Sequence, residues 1–299
     1  MIPGPEYATT PGAVAHVYTA RVQVRHHELD AFGRVHAAVY LRYLAQAAVE
    51  ASTAVGFDAD WYAAAGTLWL VRRSTFEVGR PARAGERLEI RTWVEDFRRV
   101  RSHRRYEIRD PHAALCLTAL TDWVYVAAAT GRPRRVPAQM EGAFGLDGAR
   151  ARERPPWRAP APPAAPARAV HRVGYAELDS LGHMNNAAYL DVCTQAALDA
   201  LGDVGWSLDR VLASGAVPEL RAGDIEYLEA ARYGDYLETL TWFAPVAGGL
   251  EAHQDVARVA DGRPLVRATT RLCWADVGSG LRVDWPPGLL AALRPLLAA

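Results

Sequence analysis

An internal repeat constrains this chain more than any other feature. The segment ELDAFGRVHAAVYL, beginning at Glu28, recurs as ELDSLGHMNNAAYL, beginning at Glu177. Asp30 falls on Asp179, Gly33 on Gly182 and Tyr40 on Tyr189. At the same spacing, and with no gap, Glu50 falls on Asp199, Glu77 on Glu226, Gly85 on Gly234 and Trp93 on Trp242. Self-similarity at one fixed spacing over such a distance marks a duplicated structural unit. The chain therefore divides into a first half, 1–139, a connecting stretch, 140–168, and a second half, 169–299.

Each half shows the same order of elements. A short strand (Ala20–Arg25; Ala169–Val173) leads into a polar loop containing glycine. In the first half the apolar positions of Ala37–Thr53, among them Leu41, Leu44, Ala48 and Val49, recur at helical spacing. That segment has almost no polar face, so a mostly buried helix is expected. Leu68–Val78, Arg87–Val94, Arg104–Arg109 and Leu115–Val126 then have strand composition. Their counterparts are Asp224–Tyr227, Tyr236–Phe243, Gln254–Val259 and Val266–Trp274. One long helix followed by an antiparallel meander predicts an α+β unit, a sheet wrapped around its helix. The connecting stretch ends in ERPPWRAPAPPAAPAR, whose prolines exclude helix and sheet and favour an extended spacer.

Composition narrows the function classes. Lys plus Arg and Asp plus Glu both number 34, so no global field draws the chain to nucleic acid or to a membrane surface. An electrostatic partner must be met by a local patch, and the most basic stretch, RRVRSHRR at Arg98–Arg105, is expected at a hairpin. Cys116, Cys193 and Cys273 are too few and too far apart for a disulfide framework or a metal cluster, which fits a reducing, cytoplasmic setting. The N-terminus lacks the basic and apolar regions of a secretory leader, and no run approaches a membrane span. There is no GxSxG elbow, phosphate-binding glycine loop or dinucleotide fingerprint. His26, His27 and His36 have no complementary ligand cluster elsewhere, and the His26–His27 pair stands too close to Asp30 for an acyltransferase HHxxxDG motif.

The pattern D-x-x-G-x-x-x-x-x-x-Y-L at the start of a long helix resembles the hotdog thioesterase superfamily. The first half, DAFGRVHAAVYLRYL, is similar to 4-hydroxybenzoyl-CoA thioesterase and its acyl-CoA relatives. The second, LDSLGHMNNAAYLD, is similar to acyl-ACP thioesterases, which are themselves double-hotdog proteins. This resemblance implies a tandem double hotdog, an intramolecular pseudo-dimer with sites at the seam. It implies no metal and no organic cofactor, and a substrate carried on coenzyme A or acyl carrier protein. The halves depart from the pattern in different places. Leu181 stands where acyl-ACP thioesterases have Asn, and Glu229 is displaced by about one position from their downstream Glu. In the first half Arg34, His36 and Ala37 stand where the second has His183, Asn185 and Asn186.

Thioester cleavage needs a base or nucleophile at the carbonyl carbon and donors for the oxyanion. A carboxylate before a buried helix and the free N–H groups of that helix's first turn meet both needs. The resemblance assigns the carboxylate to Asp30 and Asp179, and the polarising N–H to Ala37 and Asn186. Two candidate sites follow. In one, Asp179 acts as base or nucleophile with His183 and Asn185 or Asn186, and this half offers more convergent polar groups. In the other, Asp30 acts with Glu50, a carboxylate expected inside an apolar helix. Tyr40 and Tyr189 are candidates for substrate contact, although packing or capping is the commoner role. Arg101 and Arg104 are candidates for docking coenzyme A phosphates or an acidic carrier protein. The expected activity is hydrolysis of an acyl thioester to a free acid, the acyl group being a fatty, aryl or polyketide chain. The alternatives are a dehydratase or hydratase acting on acyl thioesters, and a non-catalytic acyl- or carrier-binding protein.

Overall fold

The computed structural model describes residues 16–146, 154–277 and 281–299. The residues on which the leader expectation chiefly rests, 1–15, and part of the connecting stretch, 147–153, lie outside these. The first half contains β1 (Tyr18–Gln23), α1 (Ala37–Ala54), α2 (Ala59–Ala65), β2 (Thr67–Val78), β3 (Arg87–Arg98), β4 (Arg101–Arg109), β5 (Leu115–Ala127) and α3 (Ala138–Ala143). The second contains β6 (Ala167–Arg172), α4 (Asn186–Asp203), α5 (Leu208–Ala213), β7 (Ala216–Tyr227), β8 (Tyr236–Val246), β9 (Gly249–Arg258), β10 (Pro264–Asp276), β11 (Arg282–Val283) and α6 (Leu289–Leu293).

Helix α1 buries Tyr40, Leu41, Leu44, Ala47, Ala48 and Ala51, a stripe at helical spacing. Arg42 and Gln46 face solvent, so this helix has a narrow polar face after all, and Val49, counted with the apolar positions, lies exposed on that side because the helical turn carries it away from the stripe. All strands pair antiparallel into one sheet of order β1-β3-β4-β5-β2-β7-β10-β9-β8-β6, with β11 on the edge of β10. Each half wraps its five-strand meander around its own long helix. The halves join where β2 pairs with β7.

The seam has the symmetry of a two-fold dimer. Thr75 lies opposite Asp224, its own counterpart in the repeat. On the inner side Arg42 forms an ion pair at 2.7 Å with Asp191, which is again its own counterpart 149 residues on. Beside the axis the ring of Phe76 lies against Gly223. A Cβ there would stand 2.4 Å from the ring's Cζ, so only glycine fits. The core is continuous across the seam. Tyr40, Leu44 and Tyr106 from the first half share one buried cluster with Tyr189, Leu190 and Val256 from the second.

Two details differ from the sequence reading, each for a physical reason. Strand β7 begins at Ala216, well before the expected Asp224, because pairing with β10 overrides the poor strand propensity of Pro218 and Gly223. The start of the connecting stretch is not spacer. Met140 and Phe144 are buried with Phe57, Phe97 and Tyr125, and α3 closes the far end of the first half. Beyond it, residues 154–166 contain no helix or strand and run over the sheet, with Arg154 paired to Asp122 at 2.8 Å and Pro160 O accepting from Trp242 Nε1.

Candidate active site

The second-half motif forms a closed loop followed by an open helix end. Asp179 N donates to His183 O at 2.9 Å, and Asp179 Oδ1 accepts from Leu181 N at 2.9 Å. Gly182 takes a positive φ of 71°, which lets the loop turn back on itself. Asn185 then caps α4: its Oδ1 accepts from Ala187 N at 3.0 Å, and its carbonyl accepts from Ala188 N. Among the described residues the N–H of Asn186 has no acceptor, so it is the orphan donor of the first turn. Tyr227 holds the same residue by donating its hydroxyl to Asn186 O at 3.1 Å. Burial pushes the Tyr227 hydroxyl pKa well above its usual value, so it remains a donor at neutral pH.

This loop and helix end open on a cavity of about 580 Å³ at the seam. Its polar end holds Asp179, His183, Asn185, Asn186 and Glu229. Its apolar walls come mostly from the first half: Leu41 and Leu44 of α1, Trp69 to Val71 of β2, and Trp123 and Val124 of β5. A half-buried carboxylate and a helix N-terminus therefore stand at the head of an apolar slot. The size is that of a small-molecule site. A thioester carbonyl at the head would leave its acyl chain against aliphatic and aromatic walls.

The first-half copy of the motif is built alike but closed. Both Phe32 N, at 2.9 Å, and Arg34 N, at 3.0 Å, donate to Asp30 Oδ1, so its carboxylate serves the loop. Arg34, the counterpart of His183, is buried and pairs at 3.4 Å with buried Glu219. Glu219 is the counterpart of cavity-lining Leu70. It also pairs with Arg221 at 2.7 Å, and Arg221 Nε lies 3.2 Å from the sulfur of Cys273, the counterpart of cavity-lining Val124. Phe32 packs against the apolar cluster of the second half, whereas its counterpart Leu181 is exposed at the cavity. Where one site is a slot lined by Leu70, Val124 and His183, the other is filled by an ion pair, a thiol and a phenyl ring.

The remaining candidates separate accordingly. Glu50 does not approach a cavity. It accepts from Gln46 Nε2 at 2.9 Å and from Tyr18 OH at 3.4 Å on the outer face of α1, which the sequence pattern did not distinguish from the inner one. Tyr40 and Tyr189 are buried and act as matching clamps, accepting from Ala82 N and Ala231 N, both at 2.8 Å. Only Tyr189 touches the cavity, and burial pushes its hydroxyl up to about 12. Ala37 opens α1 without a side-chain cap and faces the closed loop.

The basic stretch forms the expected hairpin, but it is exposed only at its tip. Only Arg99 and Val100 form the turn. Arg104 points inward, with its guanidinium over the Phe144 ring at 5.2 Å, and burial lowers its pKa. It is out of reach of a partner, while Arg101 is exposed at the cavity rim. Sequence reasoning missed Trp69, Trp123 and Tyr227. The only signal for them was the strand alternation that points them inward. Among the described residues no group of three or more His, Cys, Asp or Glu is placed to hold a metal ion, and no helix is long and apolar enough to cross a membrane.

Fold and site together define a duplicated hotdog with a seam cavity, and comparison with known proteins agrees. The profile of the thioesterase-like superfamily matches residues 24–144 and again 173–293. These ranges take in most of the chain, and the protein belongs to that superfamily as a double hotdog. No curated protein matches the sequence. Among solved structures, a putative oleoyl thioesterase from Lactobacillus plantarum superposes with a TM-score of 0.74 at 18% identity, over 86% of this chain and 96% of that one. The 12:0-ACP thioesterase from Umbellularia californica gives 0.70 at 17% identity, over 86% and 94%. An acyl-ACP thioesterase from Bacteroides thetaiotaomicron gives 0.68 at 18% identity, over 86% and 97%. At these identities the likeness is one of fold.

Proposed function

We propose that this protein hydrolyses an acyl thioester, carried on coenzyme A or an acyl carrier protein, at the seam cavity headed by Asp179. The observation that carries the reading is the asymmetry between the two motif copies. One places a carboxylate and an unpaired helix N–H at an apolar slot, and the other is filled. In the proposed reaction the Asp179 carboxylate takes a proton from water as the oxygen attacks the carbonyl carbon, with His183 orienting that water. The charge that develops on the carbonyl oxygen is met by Asn186 N–H and the positive end of α4. The C–S bond then breaks, and the Asp179 carboxyl returns its proton to the departing thiolate. Asn185 contributes by capping the helix and so fixing the direction of Asn186 N–H. The neighbours' printed names, oleoyl and 12:0-ACP thioesterase, favour an aliphatic chain of some length in the slot.

The test is release of free thiol and free acid from a panel of acyl-CoA and acyl-carrier-protein thioesters of graded chain length. The reading expects both products in equal amounts, with a chain-length optimum that shifts to shorter acyl groups in Leu44→Trp. Hydration of an enoyl thioester without thiol release would replace it with the hydratase reading. Binding without turnover would replace it with that of an acyl-binding protein.

A further inference from the structure

The rim of the cavity carries a charge pattern that hydrolysis alone does not require. Three short backbone links lay the β3–β4 turn beside residues 132–136: Tyr125 N to Val100 O at 2.9 Å, Arg134 N to Tyr125 O at 2.9 Å, and Val136 N to Arg99 O at 3.0 Å. Two residues of each segment, Val100 with Arg101 and Gly131 with Pro133, border the cavity. The same two segments bring Arg99, Arg101, Arg132, Arg134 and Arg135 together, all exposed. Among the described residues none of the five has a carboxylate at ion-pair distance. Elsewhere many surface arginines, such as Arg80, Arg109, Arg258 and Arg271, are paired, and the unpaired ones are not gathered beside a cavity in this way.

The repeat supplies an internal control. The bridge Val126–Pro133 corresponds to the pair Ala275–Arg282, so the register of this segment is kept in the second half. The bulge at Glu95 shifts the correspondence by one along β4. The counterparts of the five arginines are then Ala247, Gly249, Leu281, Val283 and Asp284. The cationic rim is present at the open site and missing at the closed one, in a chain whose total charges balance.

We propose that this rim is the docking surface for an acidic protein that carries the acyl thioester, so that the preferred substrate is protein-bound rather than nucleotide-bound. The inference rests on the hydrolase reading and adds the carrier. Its physical basis is shape and charge together. A phosphate group is held by two or three donors that converge in a recess. Here five exposed arginines stand on a turn and the irregular segment beside it, and none has a carboxylate partner among the described residues. Such an extended ridge of one sign matches an extended face of the other sign and speeds its encounter.

The experiment uses the full chain and the variant R99E/R132E/R134E/R135E, which leaves the cavity lining intact. One acyl group, that cleaved fastest by the wild type, is presented on an acidic acyl carrier protein, on coenzyme A and on pantetheine. The inference expects the variant's kcat/KM for the carrier-protein thioester to fall by at least about tenfold, mostly in KM, with the gap narrowing as salt screens the rim. Turnover of acyl-pantetheine, which has neither phosphates nor protein, stays within about twofold. Equal losses on all three substrates, or a loss on coenzyme A alone, would overturn it. If the wild type cleaves none of the three, the hydrolase reading fails by itself. Fluorescence anisotropy of labelled holo-carrier protein then decides the docking surface: weaker binding to the variant supports it, and equal binding overturns it.

Discussion

Arg34 and His183 occupy the same place in the repeat, and their difference separates the two sites. Arg34 lies in a dry environment and is held there by Glu219. Removing one member of a buried pair strands the other charge, at a cost of about 3–5 kcal/mol, whereas replacing both with apolar groups can be neutral. Glu219→Leu should therefore lower stability by about that amount in urea unfolding, and the double variant Arg34→Leu/Glu219→Leu should recover most of it. A single variant as stable as wild type would show that the pair does not close the site. Glu28 allows a second residue-scale prediction. Burial pushes its pKa up, but the Tyr43 hydroxyl, the Arg25 N–H and the Arg25 charge outweigh burial and hold it below the usual carboxylate range. A carboxylate with a depressed folded pKa stabilises above its ordinary range, and that stability is lost as pH falls through the folded value. Glu28→Gln should cost about 1–3 kcal/mol at neutral pH. The gap to wild type should close as the pH is lowered beneath the ordinary carboxylate pKa, which thermal melts over a pH series would show. A gap independent of pH would contradict the assignment.

At the scale of elements, α4 joins stability to chemistry. Its N-terminus supplies the orphan N–H, and Asn185 sets that turn through its side-chain cap. Asn185→Ala should cost about 1 kcal/mol of stability and also lower kcat, while Asn185→Asp, which keeps the capping oxygen, should retain stability. Circular-dichroism melts alongside turnover test this, and unchanged melting in Asn185→Ala would remove the cap from the account. The sequence pattern located α1 and nearly every strand, because a helix with one apolar stripe and strands with strong β-formers carry their own signal. It did not locate α2, α5, α3 or the first part of β7. These are short or poor in propensity, and they form because the sheet and core on either side of them already exist.

At the scale of the whole molecule, duplication explains both the fold and the asymmetry. The constant repeat spacing made the pseudo-dimer legible, and the motif made its loops legible. Which loop serves a cavity was not legible, because the deciding partners, Leu70 with Val124 and Glu219 with Cys273, lie on the opposite half's sheet. Nothing in the spacing of Asp30 or Asp179 reveals what stands across the seam. The same fact means that neither half contains a complete site. The halves 1–153 and 154–299, which keep α3 with the first half, should be inactive when expressed separately. Each would expose a long central strand, β2 or β7, as an edge prone to self-pairing. Co-expressed, they should copurify in equal amounts and recover activity. Turnover by the second half alone would refute a shared cavity.

The most direct test of the central claim is thiol release by Asp179→Asn and Asp30→Asn, measured beside wild type on the best substrate with folding checked by melting. Only Asp179 faces the open slot, so Asp179→Asn should lose roughly 10²–10⁴-fold in kcat while remaining folded. Asp30→Asn should weaken its loop and lower the melting temperature, yet keep kcat within a few fold. The reverse pattern, with turnover lost in Asp30→Asn and retained in Asp179→Asn, would place the chemistry at the site described here as closed and contradict the account.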